Sequence, residues 1–402
     1  MSLIRQKSAI YCMLNNYSVF LDYASTTPVS SRVIDVMLPY FNQNYGNSSS
    51  IHLMGQKAEN ALEESRHNIA NIIGATDKEI IFTSCGSESD NLALRGVAFA
   101  QKEKRAATHI LISEAEHHAV SNTAVQLGEM HGFEIETIPV DRFGLVDPEE
   151  VKLRIRDKTA IVSIIFANNE IGSINPIREI GDVCRSHGVP FHTDAVQAAA
   201  HLPIDVNFLN VDLLSLGAHK FYGPKGVGAL YIREGTPIIP AQTGGGQEFN
   251  LRAGTHNIPL IVGMSEAFIL AQSDHEERNN HYSHMRDMLL STISKTIPGT
   301  RITGHPSKRL PNHASFVFHN VDGNTLLMML DAAGFACSSG SACKTGSPEP
   351  SDVLLAMGLP PEWALGSLRV TLGQQTSSED LENFLDTLPD LVDQVRQLNE
   401  TN

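Results

Sequence analysis

Between about residues 30 and 270, short apolar runs alternate with amphipathic stretches of helical length, and this alternation constrains the fold more than any other feature. "EIIFTS" (79–84), "HILISE" (109–114), "AIVSIIFAN" (160–168), "VPFHTD" (189–194), "VDLLSLGA" (211–218) and "GVGALYI" (226–232) read as buried strands. Between them, "GQKAENALEESRHNIANIIG" and "IREIGDVCRSHG" carry apolar residues at helical spacing. Strands that are apolar throughout need cover on both faces, and intervening helices let successive strands run parallel. The expectation is an α/β domain with a mostly parallel sheet. In such domains ligands bind at loops beyond the carboxyl ends of the strands.

After about residue 275 the pattern changes. A long polar helix ("SDHEERNNHYSHMRDMLLSTISKTI") precedes a strand-like run (314–320), a helix (324–333) and a final amphipathic helix (378–398). This predicts a smaller α+β domain formed by 1–29 and 276–402, beside a large domain of 30–275. Hydrophobic residues make up 42% and charged residues 19%, which is enough apolar material for a core.

Several function classes drop out. The formal net charge is −15, the wrong sign for a sequence-independent nucleic-acid binder. No apolar run reaches 18 residues, so no membrane span is expected. Five cysteines (Cys12, Cys85, Cys184, Cys337, Cys343) without a CxxC pair are neither a disulfide framework nor a zinc ribbon, and no metal is expected. The first twenty residues lack the apolar length and cleavage pattern of a secretory signal. Together these point to a reducing, cytoplasmic setting.

The polar motifs fall at the strand ends. In "SLGAHKFYGPKGVGALYI" (215–232), Lys220 follows a strand beside His219 and a glycine-rich turn. Burial there would lower the lysine's pKa and make it nucleophilic toward an aldehyde; a surface lysine in a turn fits the same letters. Asp194 closes the strand in "FHTDAVQAAAH". It suits a protonated pyridine nitrogen, a helix N-cap, or both. Gln197 would lie one helical turn away.

"FTSCGSESDNLAL" (82–94) reads as strand, turn and helix. Ser87 there suits phosphate or, with Asp90 three residues on, a capping box. His117 and His118 follow a strand and could stack on a ring and shuttle protons, or simply form a polar loop. Asn168, Asn169 and Glu170 end another strand. The glycine run in "TGGGQEFNLRAGTHN" (243–257) reads by default as a flexible linker. Taken jointly, these residues supply an aldehyde trap, a pyridinium partner, a phosphate cradle and a proton shuttle, the requirements of a pyridoxal-phosphate (PLP) site.

The run "LDYASTTP", "GNSSSIHLMGQKA", "SESDNLAL", "EHHAV", "NNEIG", "HTDAVQ", "AHKFYGPKG", "GGGQE…LRAGT" and "SSGSAC" resembles cysteine desulfurases of the NifS/IscS type, in the class V aminotransferase family, over about residues 20–375. The resemblance implies the aspartate aminotransferase-like fold type I. It implies that Lys220 carries PLP and takes the substrate's α-proton. Asp194 would pair with the pyridine nitrogen, Gln197 with the ring hydroxyl and Asn169 with cofactor and substrate. His117 would stack on the ring as acid/base, and Ser87 and His219 would hold the phosphate. Thr255 would reach the phosphate of a second subunit, making a homodimer. Arg369 and Asn169 would bind the substrate carboxylate, for which a planar bidentate donor is suited.

Cys343, in "GSAC", would be the nucleophile on a mobile loop (about 336–350) that receives sulfur from L-cysteine, leaves L-alanine and passes the sulfur to an acceptor or scaffold protein. Iron–sulfur cluster assembly and thiolation are among the uses such sulfur could serve. Other class V reactions, such as selenocysteine lyase or aminotransferase, need no mobile thiol. Cys337 lies where the family needs no thiol, and a Cys337–Cys343 disulfide that blocks the nucleophile stays open.

The 26 residues from Cys343 to Arg369 (369 − 343) resemble the long-loop branch of the family. There are departures. Gly217 stands where a serine is common, Gln374 where an arginine is common, and Lys344 follows the nucleophile, where an ammonium favours the thiolate.

Overall fold

A computed structural model describes residues 19–273, 275–339 and 349–401. Twelve strands follow in order: β1 (Val19–Phe20), β2 (Ile80–Thr83), β3 (His109–Ser113), β4 (Glu134–Ile138), β5 (Thr159–Ser163), β6 (Phe191–Asp194), β7 (Leu213–Gly217), β8 (Gly228–Ile232), β9 (Thr300–Ile302), β10 (His313–Phe318), β11 (Phe335–Ala336) and β12 (Ser367–Thr371). The main helices are α1 (Leu53–Ile73), α2 (Gly86–Arg105), α3 (His118–His131), α4 (Ile177–Ser186), α5 (Ile258–Ser273), α6 (His275–Thr296), α7 (Gly323–Ala332), α8 (Asp352–Ala356) and α9 (Ser378–Thr401).

A seven-stranded sheet has the order β2-β8-β7-β6-β5-β3-β4. From β4 to β7 all pairings are parallel. β8 runs against both its neighbours. The connection from β7 to β8 is too short for a crossover, so the chain must reverse there. Lys220 sits in that reversal, in a 3₁₀ turn (Ala218–Lys220) beyond the end of β7.

β2, β3 and β5 to β8 are buried along their whole length, which explains why they read as unbroken apolar runs. Alternate side chains serve opposite faces. Leu214 and Leu216 join the apolar cluster under α1, α4 and α5, while Leu213 joins the one under α2 and α3. β4 is the exposed edge strand; its charged, alternating "EIETI" gave no buried-strand signal.

A second core gathers α6, α7, α9 and β10 to β12, and Val19 and Leu21 from the start of the described chain also join it. β12-β10-β9 form an antiparallel sheet, and β1 pairs in parallel with β11. β12 went unread as a strand although it contains Arg369. Among the described residues no helix is long and apolar enough to cross a membrane.

Candidate active site

Loops beyond the carboxyl ends of β3, β5 and β7 converge on one cavity of about 730 Å³. Lys220, His117, Asn169 and Arg369 all line it. Lys220 Nζ donates to the carbonyl oxygens of Ala24 (2.6 Å) and Ser25 (2.7 Å). Burial pulls its pKa down to about 8, and the neighbouring Arg369 adds to the fall. A lysine so tuned spends an appreciable fraction of time neutral near physiological pH, as a nucleophilic amine requires.

Asp194 is the last residue of β6 and is buried. Its Oδ1 accepts from Val196 N–H at 2.9 Å, which closes a turn; it is not the helix N-cap expected, because no α-helix follows. Burial raises its pKa, while His117 and Lys220 pull it back. His117 caps α3 by accepting from Ala119 N–H at Nδ1 (3.1 Å), which leaves Nε2 to carry the proton of the neutral ring. Burial lowers the His117 pKa, and Asp194 opposes that. Oxygens of Asp90 and Asp194 and a ring nitrogen of His117 all lie within 4.8 Å of one another.

Gln197 differs from expectation. The chain leaves Asp194 through a turn and a short 3₁₀ segment (Ala198–Ala200) rather than an α-helix. Gln197 Nε2 donates to the Ala24 carbonyl (2.7 Å), the same oxygen that holds Lys220.

The start of α2 has an uncapped N-terminus: Cys85 is its N-cap residue and makes no side-chain cap bond. Its first amides therefore have no helical acceptor and suit an anion. Ser87 is the second residue of α2 and is exposed, so the Ser87–Asp90 capping box is absent. A Cβ on Gly217 would stand 3.6 Å from Gly86 N and 3.3 Å from Val196 Cγ1, which places the glycine directly against that helix start. His219 Nδ1 pairs with Thr26 Oγ1 (3.1 Å). Burial, reinforced by Lys220 and Lys225, pushes its pKa down to about 4, so its ring is neutral. Ser87, His219, Gln197 and Asp194 lie outside the lining of the cavity, and Thr255 is exposed away from it.

Arg369 comes from β12, in the three-stranded sheet of the second core. Nη1 donates to the Asn169 carbonyl (2.9 Å) and Nη2 to Asp22 Oδ1 (2.7 Å). Its buried Nε has no partner among the described residues, leaving a donor for an anion.

Cys343 and Lys344 lie outside the described residues, as does most of the 336–350 loop. The described residues on either side, Ser338 and Ser339 before and Glu349 and Pro350 after, line the cavity. Cys337 is a free, half-buried thiol packed against the smaller core, and burial pushes its pKa up. That is an unreactive environment.

Three residues escaped the sequence reading. Asp22 lies inside "LDYASTTP" but had been given no role. Glu116, just before His117, accepts from Ser113 Oγ (2.6 Å) and Ile165 N–H (2.8 Å), and burial raises its pKa to about 8. Asp90 had been read only as a cap partner. An acidic residue before a histidine pair was the sole available signal for Glu116.

The donor set fits PLP: a depressed lysine, a buried carboxyl beyond the cavity wall, an uncapped helix start and an arginine with a spare buried donor. The comparisons agree. The family model described as "Aminotransferase class-V" matches residues 19–384. A curated relative from Methanosarcina thermophila, named "Cysteine desulfurase IscS", is 47% identical over 384 residues, covering 96% of this chain and 94% of the relative. One of the same name from Dictyoglomus turgidum is 47% identical over 381 residues, covering 95% and 96%. A solved structure titled "NIFS-LIKE PROTEIN" superposes with a TM-score of 0.87 at 36% identity, covering 93% of this chain and 99% of its own. Sequence model, relatives and architecture therefore coincide over nearly the whole length, and the chain belongs to the class-V aminotransferase family, with the fold type I architecture of its NifS-like members.

Proposed function

We propose that this cavity desulfurates L-cysteine, with Lys220 carrying the cofactor and Cys343 receiving the sulfur. The chain is a PLP-dependent cysteine desulfurase, and the roles of its residues follow from chemistry at stated atoms. Bound PLP supplies the electron sink that makes the α-proton of a joined amino acid removable. Asp194 would pair with its ring nitrogen, Gln197 with its ring hydroxyl, and the start of α2 with Ser87 and His219 would hold its phosphate.

Arg369 and Asn169 hold the substrate carboxylate. Lys220 Nζ takes the α-proton, which its lowered pKa permits. His117 Nε2, left free by the Nδ1 cap bond, would donate and accept a proton at the substrate. The Cys343 thiolate attacks the substrate sulfur. The Cβ–S bond breaks, its electron pair stays on the substrate carbon and is protonated to the methyl group of alanine, and a persulfide remains on Cys343. An acceptor protein then takes that sulfur. Iron–sulfur cluster assembly and thiolation are destinations such sulfur could serve.

The observation that carries this reading is that both described flanks of the Cys343 segment line the cavity that holds Lys220 and Arg369. The test is mass spectrometry after incubation with PLP and L-cysteine. The reading expects alanine together with one added sulfur on the Cys343 peptide. Cys343→Ala should keep the yellow colour of bound PLP and lose sulfur release. Sulfur release at the wild-type rate in that variant would remove Cys343 as nucleophile.

Two further elements complete the reading. The chain divides into a large lobe (30–275) and a small lobe (1–29 with 276–402), and two copies pair so that Thr255 of each approaches the other's phosphate site. Exposure of Ile34, Leu38, Phe41, Ile51 and Leu53 along one stretch supports the pairing. The free thiols of Cys85, Cys184 and Cys337 favour a cytoplasmic setting.

A further inference from the structure

Behind the cavity, Asp90 of α2 and Asp194 of β6 bring two buried carboxyl groups together, with oxygens within 4.8 Å of each other. The proposed chemistry uses only one of them. Two adjacent carboxyls shielded from water cannot both ionise cheaply, so the pair retains a proton. Its location follows from the surroundings. Asp194 accepts from Val196 N–H and lies near His117 and Lys220, and all three pull its pKa back toward the ionised form. Asp90 has the Ser215 hydroxyl on one side, and its Oδ1 has no hydrogen-bond partner among the described residues. A buried carboxylate oxygen without a donor is costly, whereas a protonated carboxyl avoids that charge.

The groups facing Asp90 offer no compensating cation. From β6, His192 Nε2 stands 3.6 Å from Asp90 Oδ1. That ring is held between Ser163 Oγ (2.8 Å) and Ser215 Oγ (3.0 Å), and burial lowers its pKa to about 3, so it is neutral. Cys85 precedes the same helix, and Glu116 and His117 come from the loop after β3. Asp194, Glu116 and Cys85 all oppose ionisation of Asp90. Burial and these neighbours push Asp90 well above the ordinary carboxylate range.

We propose that Asp90 is a positioning residue acting through Asp194: it keeps the proton of the pair and thereby leaves Asp194 charged and oriented toward the PLP ring nitrogen. The proposal rests on the reading that Asp194 meets that nitrogen. It assigns Asp90 the role of a neutral acid, so an amide of the same shape should replace it.

The experiment measures the PLP dissociation constant and the pH titration of the bound cofactor's absorption for wild type, Asp90→Asn and Asp90→Ala, with melting of each cofactor-free protein as a fold check. Asp90→Asn should bind PLP within about twofold of wild type, because it mimics the protonated carboxyl. Asp90→Ala should weaken binding roughly tenfold and move the spectral titration, because the neutral acid that keeps the pair's proton away from Asp194 is gone.

The proposal is overturned if Asp90→Asn is impaired as much as Asp90→Ala, since a charge at 90 would then be required. It is also overturned if Asp90→Ala lowers only the melting temperature and leaves the titration in place, or if it matches wild type throughout. An Asp194→Asn control separates the two claims. If that variant titrates like wild type, the ring-nitrogen reading fails; if it changes and Asp90→Ala does not, only the present inference fails.

Discussion

Lys220 shows what one side chain's surroundings do to its chemistry. Its two carbonyl acceptors would favour the ammonium, yet burial and Arg369 outweigh them and bring the pKa to about 8. Only the neutral amine attacks an aldehyde. The rate of PLP uptake by cofactor-free protein should therefore rise from pH 7 and level off above about pH 8, followed as growth of the yellow band. A rate independent of pH across that range would contradict the assignment. Gly217 makes a second case. A serine there points at the start of α2, and only Val196 Cγ1 at 3.3 Å must give way. Gly217→Ser should slow PLP loss by about the worth of one charge-assisted hydrogen bond, roughly 1.5–3 kcal/mol, measured as the dissociation constant. At this scale the sequence was legible where residue type and strand end coincided, as at Lys220, Asp194 and His117. Asp90 and Glu116 were not legible, because burial with one oxygen left unpartnered among the described residues is a property of the packing and leaves no mark in the local letters.

At the scale of elements, fully buried strands were readable because both their faces are apolar, and α1 and α4 because their apolar stripes keep helical period. Edge strand β4 and the short β9 were lost to charged and mixed sequence. The glycine run at 244–246, which read as a linker, is exposed, but the residues after it are firmly anchored. Glu248, immediately after it, is buried and holds Arg66 of α1 through two bonds of 2.9 Å, with Phe82 N–H (2.7 Å) and His256 (2.7 Å) completing its shell. The anchor lies far away in sequence, so no local pattern announced it. These donors bring the Glu248 pKa to about 2, below its ordinary value, against the effect of burial. A lowered carboxylate pKa contributes stability that is whole above about pH 4.5 and is lost as pH falls toward 2. Glu248→Ala leaves the buried Arg66 guanidinium with only the half-exposed Glu63 carboxylate and the Ile80 carbonyl as partners, at a cost of about 3 kcal/mol in urea unfolding. A loss under about 1 kcal/mol would show that water reaches the arginine instead.

The whole molecule brings together residues that are distant in sequence. Arg369 of the three-stranded sheet reaches Asn169, beyond β5 of the seven-stranded sheet, and Asp22 near the start of the described chain. Light scattering should give twice the 43.8 kDa chain mass. A monomer that binds PLP at full strength would argue against the shared phosphate site. The Asp22–Arg369 contact has a consequence for selectivity. The arginine that should greet a substrate carboxylate already holds a carboxylate, so binding is an exchange of one anion for another, and the Coulomb attraction largely cancels. A simple acid such as acetate then has little to gain by entering. An amino acid brings an amine as well, and that second attachment tips the exchange in its favour. Asp22→Asn should relax this discrimination, seen as inhibition by simple carboxylates that the wild-type protein ignores. Asp22 is thus a resident competitor, a tenant that only a ligand with two points of attachment can displace.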